Sequence, residues 1–229
     1  MCILTVTLFP VFARARENAR RASCLSNLKQ IGLGVMMYVQ DYDEHYPWAQ
    51  IFYSSSTSSQ WHKIIQPYVK STQVFLCPSS SATENSIGTN GSYGANTNLM
   101  GLEYSFGAPP FTGNTTLSTV QAPASTYMIM DFGTYYAQNT SAVTAVAAWS
   151  FLPGMGDAGG NCNAIPSTYW ADAPSDCKSG RHFGGVNMAF ADGHAKWLKS
   201  SEVVAQARKC TTGACEKDIS AWNPRKDNS

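Results

Sequence analysis

The stretch RHFGGVNMAFADGHAKW, residues 181–197, holds the side chains best suited to chemistry. His182 is followed, after nine residues, by Asp192-Gly193 and then His194. An imidazole beside a carboxylate makes a general base, and two imidazoles with a carboxylate make a metal-ligand set. The spacing argues against both. Ten residues of extended chain cover about 33 Å, whereas a dyad needs hydrogen-bond reach of about 3 Å. Even with Gly184-Gly185 bending the chain, His182 and Asp192 are not expected to touch.

Asp192-Gly193 instead signals a type I′ hairpin turn. With those residues in the turn, Ala191 faces His194, Phe190 faces Ala195 and Met188 faces Trp197. Val186, Met188, Phe190, Ala195 and Trp197 then make a core face, and His194 and Lys196 point away from it. His182 is expected to cap or pack under the adjoining loop, which the paired glycines let the backbone approach. Hydrolytic machinery has no other foothold. There is no G-x-S-x-G, and the four histidines, His45, His62, His182 and His194, are scattered along the chain. The reading is of a protein that is not an enzyme.

Composition bounds what must position these residues. A chain of 229 residues is long enough to bury a core. A formal net charge of +1 does not suggest a nucleic-acid partner. Charged residues make up only 14%, so Ser, Thr, Asn and Gly supply much of the polar surface. Seven cysteines occur, and Cys2 stands apart in an apolar start. The other six show neither C-x-x-C nor zinc-finger spacing, which favours an oxidising compartment and disulfides. The expected pairs are Cys24–Cys77, Cys162–Cys177 and Cys210–Cys215, with free buried thiols as the competing reading. Closing the Cys24–Cys77 loop is worth about 4 kcal/mol by chain entropy.

The N-terminus opens apolar and turns basic at Arg14, Arg16, Arg20 and Arg21. As a helix, the apolar run to Phe12 would span about 18 Å, against about 30 Å of bilayer hydrocarbon. Pro10 would kink a helix running through it. Beyond the basic stretch, Leu25, Leu28, Gly32, Val35, Val39 and Tyr42 recur at helical spacing and predict one buried stripe. Gly32 and Gly34 cost helix propensity, which predicts close approach by another backbone. DYDEHYP ends the helix.

After it, WHKIIQPYVK (61–70) reads as a short helix and QVFLCPSS as a short strand. STYMIMDF (125–132) reads as a buried strand, and SAVTAVAAWSF (141–151) as a strand for its Val and Trp content. SSEVVAQARK reads as a closing helix. Residues 79–120 show little periodicity, and residues 153–180 form a long loop.

Three stretches together resemble a large bacterial family of pilin-like proteins. Its members carry an N-terminal prepilin-type methylation segment and a C-terminal H-x9-D-G element, and they are related to the pseudopilins of type II secretion. The stretches are LFPVFARARENARRASCLSNLKQIGLGVMMYVQDYDEHYP, PYVKSTQVFLCPSS and RHFGGVNMAFADGHAKWL, and APASTYMIMD is a weaker match. His182, Asp192 and Gly193 fill the H-x9-D-G pattern.

The resemblance implies an α+β, type IV pilin-like fold. A long N-terminal helix (residues 1–46) would pack on the antiparallel sheet of a globular head (47–229) carrying long disulfide-clipped loops. It also implies export to the cell surface, the periplasm-facing membrane or the medium. Its partners would be like subunits or other pilin-like proteins, reached through the helix, and the inner membrane before assembly where a full stem exists. Because related pseudopilins bind calcium in a C-terminal loop, Asp157, Asp172 and Asp176 are candidate ligands. A solvated loop clipped by a disulfide is the competing reading. The family's basic leader, cleavage site, early Glu and full apolar span have no counterpart here. The chain is expected to start partway down such a stem.

Two functions follow. The first is a structural subunit of a surface filament or type II secretion pseudopilus. The second is an exported binding module for glycans or surfaces. In that case some of the six Trp and eleven Tyr would be presented on the loops at 79–120 and 153–180.

Overall fold

The protein's computed structural model describes residues 3–53, 58–80, 92–104, 114–131, 136–137, 181–199 and 202. Its first element is a long helix, α1 (Ile3–Asp41), which continues through Pro10 at the loss of one backbone donor. Cys24, Leu28, Ile31, Val35, Tyr38 and Val39 form its buried stripe. Each aliphatic side chain of the stripe contributes about 1.5–3 kcal/mol when it leaves water. The predicted stripe is thus rotated slightly. Leu25 is half-buried, and Tyr42, beyond the helix end, is exposed and stacks on Tyr38 with ring centroids 4.0 Å apart. The helix stops at the first residue of DYDEHYP. Asp43 and Glu44, with φ of 48° and 61°, turn the chain away.

The stripe packs on a five-stranded sheet in the order β6-β3-β5-β7-β8. The strands are β3 (Tyr93–Asn96), β5 (Tyr127–Asp131), β6 (Tyr136–Ala137), β7 (Gly185–Phe190) and β8 (Ala195–Lys199). All neighbours run antiparallel except β3 and β6. The molecule is therefore α+β, with one long helix on a largely antiparallel sheet. A second, small sheet joins β1 (Gln50–Phe52), β2 (Ser58–Gln60) and β4 (Leu102–Tyr104). Short helices α2 (Trp61–Ile64) and α3 (Thr97–Met100) complete the described elements, apart from 3-10 turns.

Several expectations are corrected. The helix predicted over residues 61–70 is one α-turn, because Pro67 disfavours helical backbone at the residue before it. Trp61 and Ile65 are nevertheless buried. QVFLCPSS is not a strand. Thr72–Phe75 is a 3-10 turn that buries Val74 and Phe75. The stretch without periodicity contains β3, α3 and β4, elements too short to show a period. The strand predicted at 141–151 lies outside the described residues, as does the closing helix apart from Glu202.

The terminal hairpin also differs in register. Ala189 pairs with Ala195, Met188 with Lys196 and Asn187 with Trp197, one residue from the prediction. The Phe190 amide donates to the His194 carbonyl and the Gly193 amide to the Phe190 carbonyl, leaving a three-residue loop. Gly193 has φ +89°, while Asp192 is not left-handed, so a type I′ turn is excluded. The left-handed pair lies at the other end of β7. Phe183 (φ 51°) and Gly184 (φ 74°) make a tight turn between His182 and Gly185, which bond each other's backbone in both directions. The register puts Asn187, Ala189 and Trp197 on one face of the sheet. Ala189 and Ala191 share the core of α1. These small residues, rather than Val186, Met188 and Phe190, let the helix sit close.

Candidate functional site

At Gly32 the helix comes close to the tip of the β7–β8 hairpin. A Cβ there would stand 2.6 Å from the Gly193 carbonyl oxygen. The close approach expected of Gly32 is therefore the contact with the hairpin tip, while Gly34 accommodates the Val69 side chain. Tyr46, fully buried, donates its hydroxyl to the Ala191 carbonyl at 2.7 Å and pins the same tip. Burial, and then the charge of Asp192, pushes the Tyr46 hydroxyl well above the ordinary tyrosine range. At the tip, Asp192 Oδ1 accepts from the His194 amide and stands 2.6 Å from His194 Nδ1. That pair is solvent-exposed.

His182 is at the opposite end of β7 and is fully buried. Its Nδ1 lies 2.9 Å from Glu17 Oε1 of α1. Its Nε2 lies 3.3 Å from Asp131 Oδ2 at the end of β5 and 3.5 Å from Cys77 Sγ. Cys77 is disulfide-bonded to Cys24 of α1, one of the three expected pairs. One imidazole thus touches the helix, the sheet and the cross-linked loop. Its backbone carbonyl accepts from Trp197 Nε1 at 3.1 Å, which ties β8 to the same point. Arg21 of α1 lies over the Trp197 ring, 5.5 Å from its centroid.

The polar partners of this junction are themselves held. The Asn187 amide donates to Asp131 Oδ2 at 2.7 Å, and Arg181 Nη1 lies 3.5 Å from Asp131 Oδ1. Arg181 also donates to the Ser92 carbonyl. Ser79 donates to Glu17, and Asn27 of α1 donates to the Leu76 carbonyl at 2.9 Å. Tyr93 pairs across the sheet with Asp131. Its hydroxyl is pushed far above its usual range by burial first and by the Asp131 charge second. Asp131 therefore faces one guanidinium and one imidazole in the buried interior, and Glu17, 23% exposed, meets the imidazole from the outer side. In that environment an ionic group is tolerated only when paired and hydrogen-bonded.

His182 and Asp192 are separated by the whole of β7, as their spacing requires, and the two imidazoles of the motif do not meet. His182 does more than pack under its loop, because it bridges α1 and β5. Glu17, Asp131 and Arg181 were not singled out in the sequence. Glu17 is the lone acid among four arginines and Asp131 ends an otherwise apolar strand, so both carried a signal. Cys162, Cys177, Cys210, Cys215 and the calcium candidates Asp157, Asp172 and Asp176 lie outside the described residues.

A family model described as a protein of unknown function (DUF1559) matches residues 13–134, just over half of the chain. The chain belongs to the DUF1559 family. The matched DUF1559 segment includes Glu17, Cys24, Cys77 and Asp131 and ends before Arg181 and His182. No curated protein and no solved structure gives a significant match.

Proposed function

We propose that this DUF1559 protein is a pilin-like, non-enzymatic structural subunit of a bacterial surface filament or type II secretion pseudopilus. The observation that carries the reading is the division of α1 into two parts. Residues 24–39 bury a continuous stripe in the head, whereas Phe9, Val11 and Phe12 are 74%, 62% and 68% exposed. An apolar helix end left in water is a surface for association, here with the same segment of a neighbouring subunit. The histidine cluster supports a structural reading for a second reason. His182 and Asp131 are both fully buried, so substrate has no access to them. Among the described residues, no helix is long and apolar enough to cross a membrane.

The test is a photoreactive residue placed at Phe12 in the native bacterium. The reading predicts a ladder of covalent multimers and recovery of the protein in the sheared surface fraction. A cross-linking pattern of monomer alone, with the protein retained in the cytoplasm, overturns it. Export of an unassembled monomer that binds glycans through its head would favour the binding-module reading instead.

A further inference from the structure

We propose that the junction around His182 is a transition-metal site of the reduced protein, of the zinc class, mutually exclusive with the Cys24–Cys77 disulfide. The inference stands independently of the subunit reading above.

Both sulfurs and a His182 ring nitrogen lie within 4.8 Å of one another, and all three residues are buried. Zinc bonds of about 2.3 Å to sulfur and about 2.0–2.1 Å to nitrogen or oxygen set the edges of a tetrahedron. Such a tetrahedron has a sulfur–nitrogen edge of about 3.5 Å and a nitrogen–oxygen edge of about 3.4 Å. The observed separations are 3.5 Å from Cys77 Sγ to His182 Nε2 and 3.3 Å from His182 Nε2 to Asp131 Oδ2. Cys24, Cys77 and His182 therefore supply three ligands, the Cys77–His182 and His182–Asp131 edges already match, and Asp131 is the fourth ligand once its carboxylate closes toward the sulfurs. The sulfur–sulfur edge must lengthen, which breaking the disulfide allows, and the Asp131 carboxylate must draw nearer to the sulfurs.

The surroundings fit a metal as well. Glu17 lies 2.9 Å from Nδ1, the other ring nitrogen. A carboxylate in that position fixes the tautomer that leaves Nε2 free to ligate. Two thiolates and one carboxylate around a divalent ion leave one net negative charge, and Arg181 stands 3.5 Å from Asp131 to balance it. An open groove of about 650 Å³, lined by Ser23, Asn27, Leu76, Cys77 and Pro78, borders the disulfide on its Cys77 side. The chemistry balances with a phosphine or dithiol reductant. The reductant supplies two electrons and the S–S bond breaks into two thiols, whose protons come from water as the phosphine takes its oxygen and becomes the oxide, or from the dithiol as it closes to a disulfide. The metal then binds both sulfurs as thiolates and releases those two protons.

The probe is Co²⁺, added anaerobically to the full chain after phosphine reduction, with Cys2, Cys162, Cys177, Cys210 and Cys215 replaced by Ser. The site predicts one Co²⁺ per chain, with thiolate charge-transfer absorption and the intense visible bands of a tetrahedral ion. Zn²⁺ should displace both signals, and the oxidised chain should show neither. Glu17→Gln should weaken binding about 10- to 100-fold. His182→Ala should remove the tetrahedral bands, while His182→Cys restores them with added charge-transfer intensity. If the five-fold variant does not fold, the unaltered reduced chain should hold one more metal than its Cys77→Ser variant by native mass spectrometry. A folded, reduced chain without tetrahedral cobalt absorption, or one whose bands survive His182→Ala, overturns the proposal. So does equal binding by the oxidised chain.

Discussion

His182 and His194 belong to one short motif, yet one is fully buried and the other sits in an exposed pair. Their energetic roles should differ accordingly. His182→Ala leaves Glu17 and Asp131 facing a hole where a donor stood. Leaving a buried carboxylate without its hydrogen-bond partner costs about 1–3 kcal/mol, which denaturant unfolding would register. His194→Ala removes an exposed contact to Asp192 and should cost no more than about 1 kcal/mol. Equal effects would contradict the assignment of His182 as the tie between helix and sheet.

A second residue-scale prediction concerns pH. Burial, followed by the charge of Lys63, lowers the His62 imidazole from its ordinary value to about 4. Between pH 6.5 and 4 the unfolded chain therefore binds a proton that the folded chain refuses, and stability falls as pH falls through this window. The full contribution, present above about pH 6.5, is on the order of 3 kcal/mol. A stability profile from pH 7 to 4 should flatten by that amount in His62→Gln, and an unchanged slope would contradict the assignment.

At the scale of elements, the helix–hairpin contact depends on the absence of side chains. Gly32→Ala would drive a methyl group against the Gly193 backbone, which has no flexible end to yield. Overpacking of this kind costs about 1–3 kcal/mol. Leu33→Ala, one residue along and exposed, should stay within about 0.5 kcal/mol of the parent. Thermal unfolding of the two variants separates these outcomes.

The same contact shows what sequence could convey. Gly32 announced a close neighbour through its cost to helix propensity, but nothing local named the neighbour as Gly193, 161 residues away. Asp192-Gly193 announced a turn. A three-residue loop with one left-handed glycine and a two-residue loop with two left-handed residues share that signal, so the register slipped by one. The α2 region reads as a longer helix because Trp61, Ile64, Ile65 and Tyr68 share a helical face, and the packing is kept even where the helix stops. His182 was visible as a residue of interest. Its role was not, because that role depends on Glu17 and Asp131, which lie 165 and 51 positions away.

At the scale of the whole molecule, the disulfide and the His182 junction fasten α1 where it enters the head. The helix is thereby tied to the head from Cys24 onward, and its apolar residues Phe9, Val11 and Phe12 are exposed. In the subunit role proposed above, a head that peeled from its stem would detach from the assembly.

Native-state hydrogen exchange tests the fastening most directly. The account predicts that the amides of Leu28–Val39 exchange only with global unfolding, at the same free energy as those of β5 and β7. Exchange of Leu28–Val39 at a markedly lower free energy, while β5 and β7 stay protected, would show a helix that detaches from its sheet and would contradict the account.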